Sequence, residues 1–191
     1  MCGIVEKRLM WIDVKIPFNE RGRLAMAYNR ALEQSSSEWV LILDHDVFLC
    51  NPYWYNMCLE AITALQVDPK AVCVGCTCGG ERHIRTMKQA QWIPNSDIEY
   101  HIEQAKERYL KHGTRLVRID EHTAGYFMLL KREVALKIGF VQDSKNRGIN
   151  NIDVDFGDRL LSAGYHIYSM PGLYIYHRRG MKHLKKEFRH G

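Results

Sequence analysis

The stretch "EWVLILDHDVF", residues 38–48, decides how the chain is read. Trp39 to Leu43 is an unbroken apolar run of strand length, the pattern of a strand covered on both faces. It runs straight into Asp44, His45 and Asp46 before apolar residues resume at Val47. In extended chain, side chains two apart share a side, so Asp44 and Asp46 point together and His45 points away. Three readings of the acid pair are open: a polar turn, a nucleophile with its acid partner, or a hard-oxygen grip on a divalent cation.

Outward from this run, strand and helix patterns alternate. "LMWIDVKI" (9–16) predicts a strand closed by Pro17, and residues 20–34 place Leu24, Tyr28, Ala31 and Leu32 on one helical face. Pro52 opens a helix to about Val67, and "AVCVGC" is the next strand. Residues 79–96 lose periodicity and read as a loop. A long helix follows, with Ser96 or Asp97 as N-cap and Gly113 as stop. "RLVRI" and "AGYFMLLK" predict strands, "REVALKIG" a short helix and "DVDFGDRLLSAG" a helix ended by Gly164. "YHIYSM" and "LYIYH" predict two strands on either side of Pro171 and Gly172. Such alternation makes an α/β layer with a mainly parallel sheet flanked by helices, in which ligands gather at the carboxyl ends of the strands. Asp44 and His177 each stand at such an end.

The 191 residues fit one domain, and 46% hydrophobic with 26% charged residues is an ordinary globular composition. No apolar run approaches the roughly 20 residues needed to cross a bilayer. The opening "MCGIVEKRLMW" puts charges where a secretory leader needs an apolar core, so a cytoplasmic location is predicted. Net charge is +5, concentrated in the tail from Arg178 to Arg189, which holds three Arg, three Lys and a His against one Glu. Residues 179–191 are therefore predicted as a basic tail, solvated or in peripheral contact with anionic lipid at the cytosolic face of a membrane. No basic face interleaved with aromatics points to nucleic acid. Of the six cysteines, Cys76 and Cys78 share one strand face and Cys73 takes the other, which fits reduced core thiols better than a converging zinc site.

Two further groups carry chemistry. "NNIDVDFGDRLLSAGY" sets Asp153, Asp155 and Asp158 around a helix start, where a carboxylate is stabilised as the anion and suits a general base. "PGLYIYHRRG" ends an alternating aromatic strand in His177, with Arg178 behind it as a phosphate contact.

In order and spacing these motifs resemble those of GT-A fold glycosyltransferases of the inverting, family-2-like kind. The residues that carry the likeness are Asn19, Ala27, Asn29 and Ala31, then "WVLILDHDVFL", "AGYFMLLKREVALKIGF", "IDVDFGDRLLSAGY" and "MPGLYIYH", across about residues 10 to 180. The resemblance implies transfer of a sugar from a nucleotide-diphosphate sugar to a hydroxyl of a glycan, lipid-linked or protein acceptor, with Mn2+ or Mg2+. Asp44, Asp46 and His177 would hold the metal, or Asp46 directly with Asp44 toward the ribose; Asp153 would be the base, with Asp155 second. On the donor side it implies Pro17, Asn19, Arg23, Asn29, His45, Arg178 and Lys182, and on the acceptor side Trp92, Gly125 and Tyr126. Asp44 follows only 43 residues, fewer than family members usually carry ahead of it, which predicts an N-terminally reduced version. Ile152 stands where the family usually has Glu.

"LILDHDVF" also resembles the first motif of haloacid-dehalogenase-type phosphohydrolases, with Asp44 as nucleophile. That family places an acid four residues after its "GD" aspartate, where this chain has Ser162, and it leaves "PGLYIYH" without a role. A nucleotide-sugar-binding module without turnover is a third reading.

Overall fold

The structure is a computed structural model, and it describes residues 11–18, 22–80, 90–92, 95–142 and 152–178. The apolar run Trp39–Leu43 is β2, with all five side chains buried. Its unbroken hydrophobicity has a direct cause. Trp39, Leu41 and Leu43 pack under α2 (Trp54–Leu65), while Val40 and Ile42 join the layer made by α1 (Leu24–Glu33), α4 (Arg132–Ile138) and α5 (Ile152–Ser162). At about 1.5–3 kcal/mol for each large apolar side chain removed from water, β2 anchors both layers.

The sheet has eight strands, with the central order β1-β2-β7-β4-β8-β3. β1 (Ile12–Lys15), β2, β4 (Ala71–Gly80), β5 (Ala90–Trp92) and β8 (His166–His177) run one way. β7 (Phe127–Lys131) runs against them between β2 and β4, and β3 (Val47–Phe48) and β6 (Val117–Ile119) run against β8. The expected mainly parallel sheet flanked by helices is present, with antiparallel strands set into it.

The long helix α3 (Ile98–His112) covers the carboxyl half of β8. It starts as expected at Asp97, whose carboxylate accepts from the Glu99 N–H at 3.0 Å, and stops at Gly113 with φ 55°. Where two strands were expected around Pro171 and Gly172, one strand runs through. Cys76 lies opposite Met170 and Thr77 opposite Tyr174, so Pro171, Gly172 and Leu173 bulge out of register. A bulge is where a sheet accepts a proline. The Thr77 hydroxyl donates to the Pro171 carbonyl at 3.3 Å, and a Cβ on Gly172 would collide with the Gly113 carbonyl that ends α3. The helix stop and the strand bulge thus pack on each other directly.

The five described cysteines are buried free thiols, as the core reading expected. Burial pushes the Cys58 and Cys73 thiols up to about 12, which keeps them protonated and inert.

At the amino end of β8, Asp68 accepts from Tyr168 Oη at 2.8 Å and from the Lys70 N–H at 3.1 Å, and lies 2.7 Å from His166 Nδ1. The His166 contact, with the other two bonds, holds the Asp68 carboxyl below its ordinary 3.8. A lowered folded value means the stabilisation is present above the unfolded value and is lost as pH falls from there through the lowered folded value. Asp68→Ala removes the acceptor of the Tyr168 and Lys70 hydrogen bonds and is expected to cost about 1–2 kcal/mol at pH 7. Urea midpoints followed from pH 6 down to 3 should fall less steeply for this variant than for the wild type.

Candidate active site and metal centre

At the end of β2, Asp44 is fixed by its N–H, which donates to the Tyr126 carbonyl at 3.3 Å just ahead of β7. The chain turns through the exposed His45 and resumes as β3, with Val47 opposite His177 and Phe48 opposite Tyr176. The Arg178 N–H donates to the Asp46 carbonyl at 3.0 Å and closes the turn. Together these bring His177 Nε2 to 2.9 Å from Asp46 Oδ1 and 3.6 Å from Asp44 Oδ2. One ligand atom from each of the three residues lies within 4.8 Å of the others; among the described residues no other His, Cys, Asp or Glu group is so placed.

The donor set fits a divalent cation. Two carboxylates and an imidazole offer hard oxygens and one nitrogen, and three protein ligands leave the other positions for oxygens of a bound molecule. His177 Nδ1 is buried with no partner among the described residues, and the ring stands 5.5 Å from that of Tyr126, so the imidazole addresses the carboxylates through Nε2 alone. Burial raises the Asp44 carboxyl above its ordinary 3.8. His177 opposes the shift, while the negative charges of Asp46 and Asp153 add to it. Crowded acids of this kind are relieved by a cation.

Asp153 lies in the first turn of α5, and its Oδ2 accepts from the Gly125 N–H at 2.7 Å. Tyr126 holds Asp44 and Gly125 holds Asp153, so the "AGY" step before β7 sets the two acids beside each other. A Cβ at Gly125 would stand 3.4 Å from that of Asp153. Asp155, two residues on, projects from the other side of the helix. It is bound by Arg159 at 2.7 and 2.9 Å, and Arg159 also donates to the Ile138 and Gly139 carbonyls at 2.6 and 2.7 Å. Asp155 thus ties α5 to the end of α4 and is not part of the acid cluster.

The other expected site residues divide. Pro17 follows the carboxyl end of β1, the exposed Arg23 is the N-cap residue of α1, and the exposed Arg178 follows His177. Asn29, expected on the donor side, is taken up elsewhere. Its Nδ2 donates to the Phe140 carbonyl at 2.9 Å and its Oδ1 accepts from the Phe140 N–H at 2.8 Å, which staples α1 to the segment after α4. Tyr126, expected to meet the acceptor, is buried and supports His177 and Asp44 from behind. The backbone of Trp92 pairs with Gly80, which pairs on its other side with His177, so β5 reaches the same end of the sheet. Asn19 and Lys182 lie outside the described residues. Two features had no sequence expectation. β3 is too short to show a period, and Tyr28, whose Oη lies 3.5 Å from Asp44 Oδ1, carries only a core pattern in the sequence.

The sequence pattern of glycosyl transferase family 2 matches residues 5–139. The chain belongs to that family. No curated protein matches the sequence. Among solved structures, the crystal structure of GalNAc-T7 with UDP, GalNAc and Mn2+ is similar, with a TM-score of 0.56 at 15% identity. The match covers 86% of this family 2 chain and 32% of that one, so this chain spans about a third of its neighbour's length. At that identity the likeness is one of fold, the GT-A fold that the motif order implied. Among the described residues no helix is long and apolar enough to cross a membrane.

The roles of the two acids on α5 predict different losses of stability. Arg159→Ala leaves two carbonyls at the end of α4 without their donor and is expected to cost about 1–3 kcal/mol. Asp155→Asn removes a half-exposed ion pair and should cost below about 1 kcal/mol. Urea denaturation of the two variants checks the order; a larger loss for Asp155→Asn would mean that the carboxylate does more than orient Arg159.

Proposed function

We propose that this family 2 protein transfers a sugar from a nucleotide-diphosphate sugar to an acceptor hydroxyl, with inversion and with Mn2+ or Mg2+ held by Asp44, Asp46 and His177. The observation that carries the reading is the Asp44–Asp46–His177 cluster at the carboxyl end of the sheet, with Asp153 fixed beside it by Gly125. The similar GalNAc-T7 structure contains UDP and Mn2+, which supports a nucleotide sugar as donor. Membership of family 2 leaves the phosphohydrolase reading of Asp44 without support.

When bound, the cation neutralises charge on the leaving diphosphate. The chain supplies the rest. Asp153, in the first helical turn, accepts the proton of the acceptor hydroxyl. That oxygen forms its bond to the anomeric carbon as the bond from that carbon to the diphosphate oxygen breaks, and the nucleoside diphosphate departs. A single displacement on the face opposite the leaving group inverts the anomer. Pro17 and Arg23, after β1, belong to the proposed donor side, and Arg178, which follows His177 in the chain, is the proposed phosphate contact. β5 and Trp92 border the acceptor side, where a glycan, lipid-linked or protein hydroxyl would enter.

Two measurements test this. Mn2+ at about 100 times its Kd should stabilise the protein by about 2.7 kcal/mol, and Asp46→Ala should abolish that gain together with metal-dependent nucleotide binding. In a panel of nucleotide sugars, release of nucleoside diphosphate should fall about 10²–10⁴-fold in Asp153→Asn with nucleotide binding kept, and should persist in Asp155→Asn. Unchanged turnover in Asp153→Asn would show that another group is the base, and nucleotide binding without turnover in the wild type would leave a binding module.

A further inference from the structure

Tyr28 is 2% exposed, on the face of α1 that Ala25 and Leu32 share, in the apolar layer with Val40, Ile42 and Met128. Packing alone fixes its ring. It meets Phe140 edge to face with centroids 4.9 Å apart, and Phe140 stacks on Phe156 of α5 at 4.0 Å. The backbone of Phe140 is clamped by the amide of Asn29, the next residue of α1. A phenylalanine would serve all of these contacts, and a hydroxyl in such a layer is a cost unless it has a partner.

That partner is Asp44. Among the described residues the Tyr28 hydroxyl donates to Asp44 Oδ1 alone, at 3.5 Å, and Oδ1 accepts no other hydrogen bond. The contact is long for O–H···O, so it orients the carboxylate rather than locks it. Asp44 Oδ2 is the oxygen that faces the cluster, 3.6 Å from His177 Nε2. Burial and the negative charges of Asp44 and Asp153 hold the phenol well above its ordinary 10, so it stays a donor. The two oxygens of Asp44 are therefore not equivalent: one is taken up from the α1 side, and one is left for the site. Cations respond to that difference. Mg2+ demands a near-ideal octahedron of single oxygens, whereas the larger Ca2+ takes roughly six to eight and accepts both oxygens of one carboxylate.

We propose that Tyr28 is a positioning residue for Asp44, whose hydroxyl holds Oδ1 away from the cluster, so that Asp44 offers a cation Oδ2 alone and the centre prefers Mg2+ or Mn2+ to Ca2+. This rests on the reading of Asp44, Asp46 and His177 as a cation grip and adds to it the residue that sets which cation is held. Outer partners of this kind typically govern metal affinity by about 10–100-fold.

The test uses the full chain and the cations alone, with no turnover. Mn2+ affinity is read from the electron paramagnetic resonance signal of the free ion, and Mg2+ and Ca2+ affinities from displacement of Mn2+. Tyr28→Phe keeps the ring and removes only the hydroxyl. In it, Mn2+ and Mg2+ binding should weaken about tenfold. Ca2+ binding should weaken less, because Oδ1 is released to it, so the ratio of Ca2+ to Mg2+ affinity should rise at least about threefold. Asp68→Ala, which loosens the fold at the opposite end of β8, should leave that ratio at its wild-type value, since a loss of stability does not distinguish one ion from another. Far-ultraviolet circular dichroism and urea midpoints show that each variant is folded. Equal weakening for all three cations, or affinities unchanged in Tyr28→Phe, overturns the role of Tyr28 and leaves the grip standing. A wild type that binds no Mn2+ at about 1 mM overturns the grip and this inference together.

Discussion

The site rests on one short pairing, Val47 opposite His177 and Phe48 opposite Tyr176. His177 and Asp46 are 131 positions apart in sequence, and no local preference can bring them together. They meet because β2 and β8 belong to one sheet, joined through β7 and β4, and because the chain leaving β2 folds across to the outer edge of β8 after a turn of three polar residues. The acid pair and the imidazole thus sit where two strands converge at their carboxyl ends, the end at which open α/β sheets collect ligands. Contacts this distant in sequence carry a large loop-closure cost, so the cluster depends on the whole sheet that joins β2 to β8.

The bulge in β8 is part of the same construction. If Pro171–Leu173 stayed in register instead of bulging, strict pairing with β4 from Met170 onward would set Leu173, not Tyr176, opposite Gly79, and His177 would overrun the end of β4. A one-residue slip turns every side chain to the other face; three residues do the same and also shorten the reach of the strand. With the bulge, Tyr174 and Tyr176 turn toward α3 while Ile175 joins the α2 layer. Gly79 leaves room for the Tyr174 hydroxyl, where a Cβ would collide. Glycines and a proline that look like strand breakers are thus the residues that allow β8 to be both long and correctly set.

The sequence showed most of the helices and nearly all the strands because their hydrophobic periods are strong. β2 reads as doubly covered, and α3 carries both its cap and its stop. The residues of the Asp44–Asp46–His177 group were legible as well, since the acid spacing after β2 and the terminal histidine of an aromatic strand are each local patterns. What stayed hidden depends on tertiary partners. Asp153 and Asp155 are alike in composition, and only Gly125 on one side and Arg159 on the other separate them. Asn29 matched a motif position, yet its amide is held by Phe140, 111 residues away. The strand β3, two residues long, has no period to detect.

His101 shows how far the supporting structure extends behind the site. It is fully buried on α3, with Nε2 2.7 Å from the Asn95 carbonyl and Nδ1 2.7 Å from Tyr174 Oη. A carbonyl only accepts, so Nε2 donates to Asn95, while the tyrosine hydroxyl can both donate and accept and so pairs with Nδ1. Both ring nitrogens are therefore satisfied. The ring also stacks on Tyr176 with centroids 3.8 Å apart, which places this closed set of bonds one residue before His177. The last turn of β8 is consequently held from the α3 side by packing and hydrogen bonds that involve no carboxylate, and the crowded acids on the other side of the strand can carry unfavourable charge without being asked to hold the strand in place.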